Sequence, residues 1–241
     1  MDLSVIIPAF NEADYLPATL DSIRRASERL REPPDVDVEV IVVDNNSADE
    51  TAAIAESMGA TVVGEPVQGI GRARNRGASA AGGDVLVFVD ADVTVPVTLL
   101  EVVHEVMSEP DCIGGGVDVE YRPRRLVIRL YLRCWRQLAR LTGMVQGATQ
   151  FCRGSAFEAV GGYDENVWIG EDVDFLWSLR KRARETGQHV HIVRSPRVLP
   201  STRRFDKMPV WKVLLFTNPL FIALFRRWKA PWSDWYKRPV R

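Results

Sequence analysis

The sequence predicts an α/β fold: a central, mostly parallel sheet with helices on both faces, followed by a short helical C-terminal element. Three observations carry this. Nearly continuous β-branched runs alternate with helical stretches through residues 1–95, the pattern of strands buried on both faces and joined by crossover helices. Each strong run stops at polar or acidic residues. The tail from Met208 then changes character and is rich in Trp, Phe, Leu and Arg.

In chain order, Leu3-Ser4-Val5-Ile6-Ile7 reads as the first strand, stopped by Pro8. Val38–Val43 is the second, stopped by Asp44-Asn45-Asn46-Ser47. Thr61-Val62-Val63 is a weaker third, and Asp84–Val89 a strong fourth ending at Asp90. Helices are expected between them at 12–31, 48–58 and 71–81. Further on, Val97–Met107 reads as a helix and Cys112–Tyr121 as a glycine-containing strand. A basic helix at 124–141, a strand at Gly147–Arg153, a helix at Glu171–Glu185 and a short strand at Val190–Val193 follow. No repeat or linker interrupts the chain, so one compact domain with an appended C-terminal element is expected.

At 241 residues, 46% apolar and 26% charged, the chain can bury a sizeable core and is neither disordered, collagenous nor a disulfide framework. Cys112, Cys134 and Cys152 lie far apart without a CxxC pair, which speaks for a reducing compartment and against a zinc knuckle or redox motif. Met1-Asp2-Leu3-Ser4 has no basic n-region, so no signal peptide is expected and the location reads as cytoplasmic. The net charge of −1 conceals a division. Residues 1–120 carry 7 Lys and Arg against 23 Asp and Glu, a charge of −16, and residues 121–241 carry 24 against 9, a charge of +15. An acidic half suits a cation and a basic half suits phosphates or a lipid surface; equally, the halves can attract one another.

In open sheets of this kind ligands bind beyond the carboxyl ends of the strands. There the sequence sets Pro8-Ala9-Phe10-Asn11-Glu12, Asp44-Asn45-Asn46-Ser47 and Asp90-Ala91-Asp92. A dinucleotide-binding glycine turn is absent after the first strand, and Arg74 replaces the third glycine of the pattern begun by Gly69-Ile70-Gly71. A Walker P-loop is absent as well. Asp90-Ala91-Asp92 offers oxygen ligands for Mg²⁺ or Mn²⁺ beside a diphosphate. The plainer alternative is that Asp92 or Thr94 caps the following helix.

These segments, with Gly71-Arg72-Ala73-Arg74-Asn75-Arg76-Gly77, Phe157–Glu165 and Gly170-Glu171-Asp172-Val173-Asp174, resemble family 2 glycosyltransferases of the GT-A fold over roughly residues 3–195. The resemblance implies an inverting, metal-dependent enzyme using a nucleoside-diphosphate sugar, UDP- or GDP-linked. It assigns Asp44 to the base; Pro8, Phe10 and Glu12 to the nucleotide; and Arg74 and Asn75 to the base and phosphates. Asp90 falls nearer the ribose and sugar, Ala91 among the donor-binding residues, Asp92 on the metal, and Asp172 as catalytic base. Residues 1–95 are then the nucleotide-binding half and 96–205 the acceptor half of a domain at 1–205, with 206–241 as the appended element. As a first-turn acid, Asp172 is expected to be kept ionised by the helix dipole. A sugar-phosphate nucleotidyltransferase and a non-catalytic nucleotide-sugar binder are the rival readings. Nucleic-acid binding is not expected, because no reading helix or RNA-binding aromatic motif is present.

Other features carry weaker expectations. Gly161-Gly162-Tyr163-Asp164 reads as a turn that could border the acceptor. His189 and His191 share one strand face and read as structural or exposed rather than as ligands. Arg203 or Arg204 could clamp the diphosphate. Arg125, Arg129, Arg133, Arg136 and Arg140 align on one helix face, suited to an anionic membrane, a phosphate-bearing acceptor or the acidic half. Val213–Phe225 is too short to span a bilayer and is broken at Asn218-Pro219. Trp211, Trp228, Trp232 and Trp235 flank it with Arg226, Arg227, Lys229, Lys237 and Arg238, the pattern of an element lying among lipid headgroups. The alternative is a helical hairpin packed on its own domain or on a second subunit of a homo-oligomer.

Overall fold

The structure, a computed structural model, describes residues 1–30, 36–142 and 147–232. The elements run β1 (Leu3–Ala9), α1 (Leu16–Leu30), β2 (Val38–Asp44), α2 (Thr51–Ser57), β3 (Thr61–Gly64), α3 (Ile70–Ala80) and β4 (Val85–Val89). They continue with β5 (Val93–Thr94), α4 (Leu99–Met107), β6 (Cys112–Val119), α5 (Leu126–Thr142), β7 (Thr149–Arg153), α6 (Gly154–Val160) and α7 (Glu171–Thr186). The last elements among the described residues are β8 (His189–Pro200), α8 (Arg203–Lys207), α9 (Val210–Phe216), α10 (Pro219–Phe225) and α11 (Lys229–Trp232).

The strands lie in the order β3-β2-β1-β4-β7-β6-β8-β5. β3, β2, β1 and β4 pair in parallel, β7 is inserted antiparallel between β4 and β6, and β6 pairs parallel with β8. The order reverses at β1: the chain steps outward to β2 and β3, then returns to the other side of β1 as β4. The crevice at that reversal is where the polar segments after β1, β2 and β4 emerge.

Period-two alternation divides the strands between two cores. Leu3, Val5 and Ile7 of β1 and Val85, Val87 and Val89 of β4 pack with Leu16, Leu20 and Ile23 of α1 and with Leu99 and Val103 of α4. Ile6, Leu86 and Phe88 face the other way, against Ala73, Phe175 and Leu179 of α3 and α7. Gly77 explains how closely α3 lies on the sheet, since a Cβ there would fall inside the Ile6 side chain and 2.9 Å from Val43. A third core joins Ile128 and Leu132 of α5 to Phe205, Met208, Val213, Phe216 and Trp232. The tail is therefore packed on its own domain through short helices, although Trp235, Lys237 and Arg238 lie outside the described residues. No helix among the described residues is long and apolar enough to cross a membrane.

Three local expectations change. The segment after Asp92 forms β5 rather than a cap, and α4 starts only at Leu99, so neither Asp92 nor Thr94 caps it. β8 runs to Pro200, well beyond Val193, because its far end pairs first with Val119 and then with β5. α6, not expected from periodicity, is a short helix ended by the left-handed Gly161.

Candidate active site

The loops after β1 and β2 hold each other. Asn11 and Asn46 both adopt positive φ, 54° and 64°, which asparagine tolerates better than most residues. The Asn11 backbone N–H donates to Ser47 Oγ at 3.0 Å, and the Ala48 N–H donates to Asn11 Oδ1 at 2.8 Å. Asn45 is buried beneath them. Its amide donates to the carbonyls of Glu65 and Val67 while its Oδ1 accepts from the Gly69 N–H, so it anchors the start of α3. Asp44 accepts from the Ser47 N–H at 3.2 Å.

The turn after β4 is fixed at every residue. The Asp90 N–H donates to Ala148 O, Thr19 Oγ1 donates to Ala91 O, and the Ser201 N–H donates to Asp92 O. Pro8, Phe10, Glu12, Asn45, Asp90, Ala91 and Asp92 thereby line one cleft of about 100 Å³. A second cleft, about 550 Å³, opens beside it and is lined by Asp172, Trp135, Trp168, Trp177, Phe216 and Ile222. Ile70, Asp90, Asp92 and Arg204 belong to both, so the clefts meet at the Asp90-Ala91-Asp92 turn.

Among the described residues five carboxylates line the larger cleft, and four are held in ion pairs. Arg74, buried, bonds Asp90 Oδ1 at 2.8 Å and Glu171 Oε1 at 2.6 Å. Arg203 reaches Asp92 Oδ2 at 3.1 Å, and Asp174 pairs with Arg226. Asp172 has no ion pair among the described residues. It packs where a side chain on Gly147 would stand, and accepts from the backbone N–H groups of Gly147 and Val173. Gln150, buried on β7, donates to the Asp172 carbonyl at 2.9 Å and accepts from the Tyr163 hydroxyl. Gly170, at φ 80°, starts α7 and turns the chain into position.

Burial reverses the expected electrostatics at Asp172. Desolvation and the adjacent Glu171 push its carboxyl up to about 6, outweighing Arg74 and the two backbone donors. The helix start does not hold it at an ordinary acidity, because the dipole is small beside loss of water. Asp90 is raised to about 7, chiefly by desolvation against the pull of Arg74. Burial works against the charge on Arg74, but Asp90 and Glu171 overcome it and hold the guanidinium above its usual value.

Arg74 and Asn75 do not line the smaller cleft. Arg74 bridges Asp90 and Glu171, and Asn75 braces the turn at Tyr163 by accepting its N–H at 2.9 Å and donating to its carbonyl. Asp44 stands at the end of β2 but does not line that cleft either. None of Gly161–Asp164 lines the larger cleft; Gly161 and Gly162 form a left-handed turn instead. Arg203 is not free to clamp a phosphate, since its guanidinium stacks 4.0 Å from the Tyr15 ring and bonds both Glu12 oxygens at 2.6 and 2.7 Å. Arg204, which lines both clefts, has the better position. His189 sits at the opposite end of β8, beside Glu109. Sequence reasoning missed Asn45, Gln150 and the aromatic cleft wall. For the wall a signal existed, since all seven tryptophans lie beyond residue 134.

The donor set suits a hard cation: Asp92 presents a partly exposed carboxylate at the junction of the clefts, with Asp90 two residues back. Among the described residues no group of three His, Cys, Asp or Glu could hold a metal. A cation here would need diphosphate oxygens to complete its shell.

Residues 4–160 match the family described as Glycosyl transferase family 2. The chain is 35% identical over 114 residues to an uncharacterized glycosyltransferase of Mycobacterium tuberculosis, covering 47% of each protein. It is 27% identical over 198 residues to glycosyltransferase AglE of Haloferax volcanii, covering 77% of this chain and 62% of that one. The chain thus spans about half the length of the first curated relatives it matches. In fold it is similar to mannosyltransferase PcManGT of Pyrobaculum calidifontis, solved with GDP-Man and Mn²⁺, at TM-score 0.62 and 22% identity over 83% of this chain and 56% of that one. It is also similar to glucosyl-3-phosphoglycerate synthase of Mycobacterium tuberculosis, solved with Mn²⁺, UDP and glucosyl-3-phosphoglycerate, at TM-score 0.62 and 23% identity over 92% and 78%. With the family match spanning most of the sheet and both clefts opening at its strand ends, the chain belongs to glycosyl transferase family 2.

Proposed function

We propose that this chain transfers a sugar, with inversion, from a UDP- or GDP-linked donor to an acceptor near a membrane face, assisted by Mn²⁺ or Mg²⁺. One observation carries the reading: two clefts share Asp90 and Asp92, and, among the described residues, Asp172 is the one carboxylate of the larger cleft left without an ion pair. Residues 1–95 supply the nucleotide side and 96–205 the acceptor side, with 206–241 as an appended element whose Phe216, Ile222 and Arg226 line the larger cleft. Pro8, Phe10 and Glu12 border the nucleotide, Asp44 stands ready for the base, and Arg204 faces the diphosphate.

Asp172 takes the proton from the acceptor hydroxyl as its oxygen attacks the anomeric carbon. Its raised pKa leaves it ionised at neutral pH while making it a better proton acceptor than an exposed aspartate. Asp92 would hold the cation with the diphosphate, and that cation would offset charge on the departing nucleotide. Trp135, Trp168, Trp177 and Phe216 give the larger cleft an aromatic wall, which suits an acceptor with an apolar portion.

Asp172→Asn tests the assignment. Glycosyl transfer falls about 10²–10⁴-fold, the range for a lost general base. Stabilisation by UDP or GDP with Mn²⁺, read as a thermal shift, stays as in the wild type. Undiminished transfer would overturn the role of Asp172, and no shift with either nucleotide would overturn the donor site.

A further inference from the structure

We propose that α5, α9 and α10 form a docking surface for an anionic lipid membrane, which brings the mouth of the larger cleft to the headgroup layer. This rests on the membrane-proximal acceptor above and names the residues that meet the lipid. Thirteen large apolar side chains are exposed among the described residues, and nine of them lie on α5 or between Trp211 and Trp228. Leu220 and Leu224, 75 and 73% exposed, stand one turn apart on α10, and Trp228, 64% exposed, follows just beyond its end. Leu126, Val127 and Leu130 stand out on α5, and Trp211 and Leu214 on α9. These residues are left over after the third core has taken Ile128, Leu132, Val213, Phe216 and Trp232.

Charge selects the partner. Residues 121–142 contain seven arginines and no acid, and residues 203–232 contain seven Lys and Arg against Asp206 alone. Arg129 and Arg133 on α5, with Arg227 and Lys229, are exposed beside the apolar residues. Among the described residues, none of Arg125, Arg129, Arg133 and Arg136 pairs with the acidic half; Arg125 and Arg129 donate instead to the carbonyls of Met208 and Pro123. A symmetric second copy would set this basic face against itself. A copy docking through its acidic half would offer only Met58, Val67 and Val97 as exposed apolar partners. An anionic bilayer supplies both negative headgroups and an apolar layer, and tryptophan with basic residues suits its interface. With seven residues each, α9 and α10 are about 10 Å long, which fits lying in the interface and not crossing it.

The same helices wall the cleft. Ile222 and Ala223 of α10 and Leu132 and Trp135 of α5 face it while Leu220, Leu224 and Leu130 face outward. An acceptor with an apolar chain would reach Asp172 from the lipid without its chain crossing water.

Vesicle flotation of the full chain tests this, with phosphatidylcholine vesicles with and without phosphatidylglycerol, at low and high salt. The wild type floats with anionic vesicles, and high salt weakens binding. Leu220→Glu/Leu224→Glu/Trp228→Glu lowers the partition about tenfold or more, and Arg129→Gln/Arg133→Gln lowers it on anionic vesicles only. Both variants keep the wild-type melting temperature and the nucleotide-induced shift, which separates loss of docking from loss of fold. A folded wild type that stays unbound, or variants that bind as it does, overturns the proposal. So does a wild-type dimer in light scattering that the triple variant dissolves, since the face would then cover a second copy. Failure of the nucleotide shift in the wild type would instead strike the proposed transfer reaction and leave the flotation result standing.

Discussion

In the N-terminal half β1 and β4 bury every residue, and Glu12, Asp90 and Asp92 at the clefts are paired with Arg203 and Arg74. The α5 and C-terminal helices do the reverse, burying one stripe in a small core and leaving large apolar residues in the open. The first region is specified by satisfaction: each carbonyl of the Asp90-Ala91-Asp92 turn has its donor. The second is specified by what it leaves unmet. Stability should therefore be concentrated in the first region and be almost insensitive to the outer face of the second.

The sharpest way to break this comparison is Arg74→Ala. It leaves Asp90 and the buried Glu171 without a partner and should cost about 3–5 kcal/mol of stability, measured by denaturant unfolding. Gly77→Ala should cost about 1–3 kcal/mol, because the new methyl must push apart Ile6 and Val43. Leu220→Ser or Leu224→Ser should stay within about 0.5 kcal/mol of wild type, as expected for exposed positions. A loss comparable to that of Gly77→Ala would show that α10 is held by its outward face after all.

Asp172 gives a pH-dependent version of the same contrast. Its carboxyl titrates near 6 in the folded chain, against 3.8 as the unperturbed value, so the fold binds more protons than the unfolded chain between those limits. That group alone makes the fold less stable as pH rises from about 4 to 6, while, with Asp172 as the proposed base, transfer activity should climb over the same interval. Asp172→Asn should raise the melting temperature at pH 7, leave it nearly unchanged at pH 4, and remove the acid limb of kcat/KM.

Much of this was legible in the sequence because short-range chemistry wrote it there. Val5-Ile6-Ile7-Pro8 and Leu86–Val89 followed by Asp90 announce buried strands that end at a site. The clustering of Pro8, Phe10, Glu12, Asp90, Ala91 and Asp92 follows from the sheet order alone. What the sequence hid depends on partners far along the chain. Arg74 looks like a phosphate ligand until Glu171 arrives from 97 residues away, and Asn75 until Tyr163 does. The acidity of Asp172 depends on how much water its neighbours remove, which no spacing encodes.

The pairing of Glu12 with Arg203 has a consequence for biosynthesis. The two are separated by 191 residues, so the ribosome makes Glu12 long before Arg203. Domains that fold during synthesis do so from the N-terminus, and β1 to β4 can assemble early. Glu12 then waits with its carboxylate in water until Arg203 has emerged. The smaller cleft of a nascent chain thus lacks this pair until residue 203 has left the ribosome.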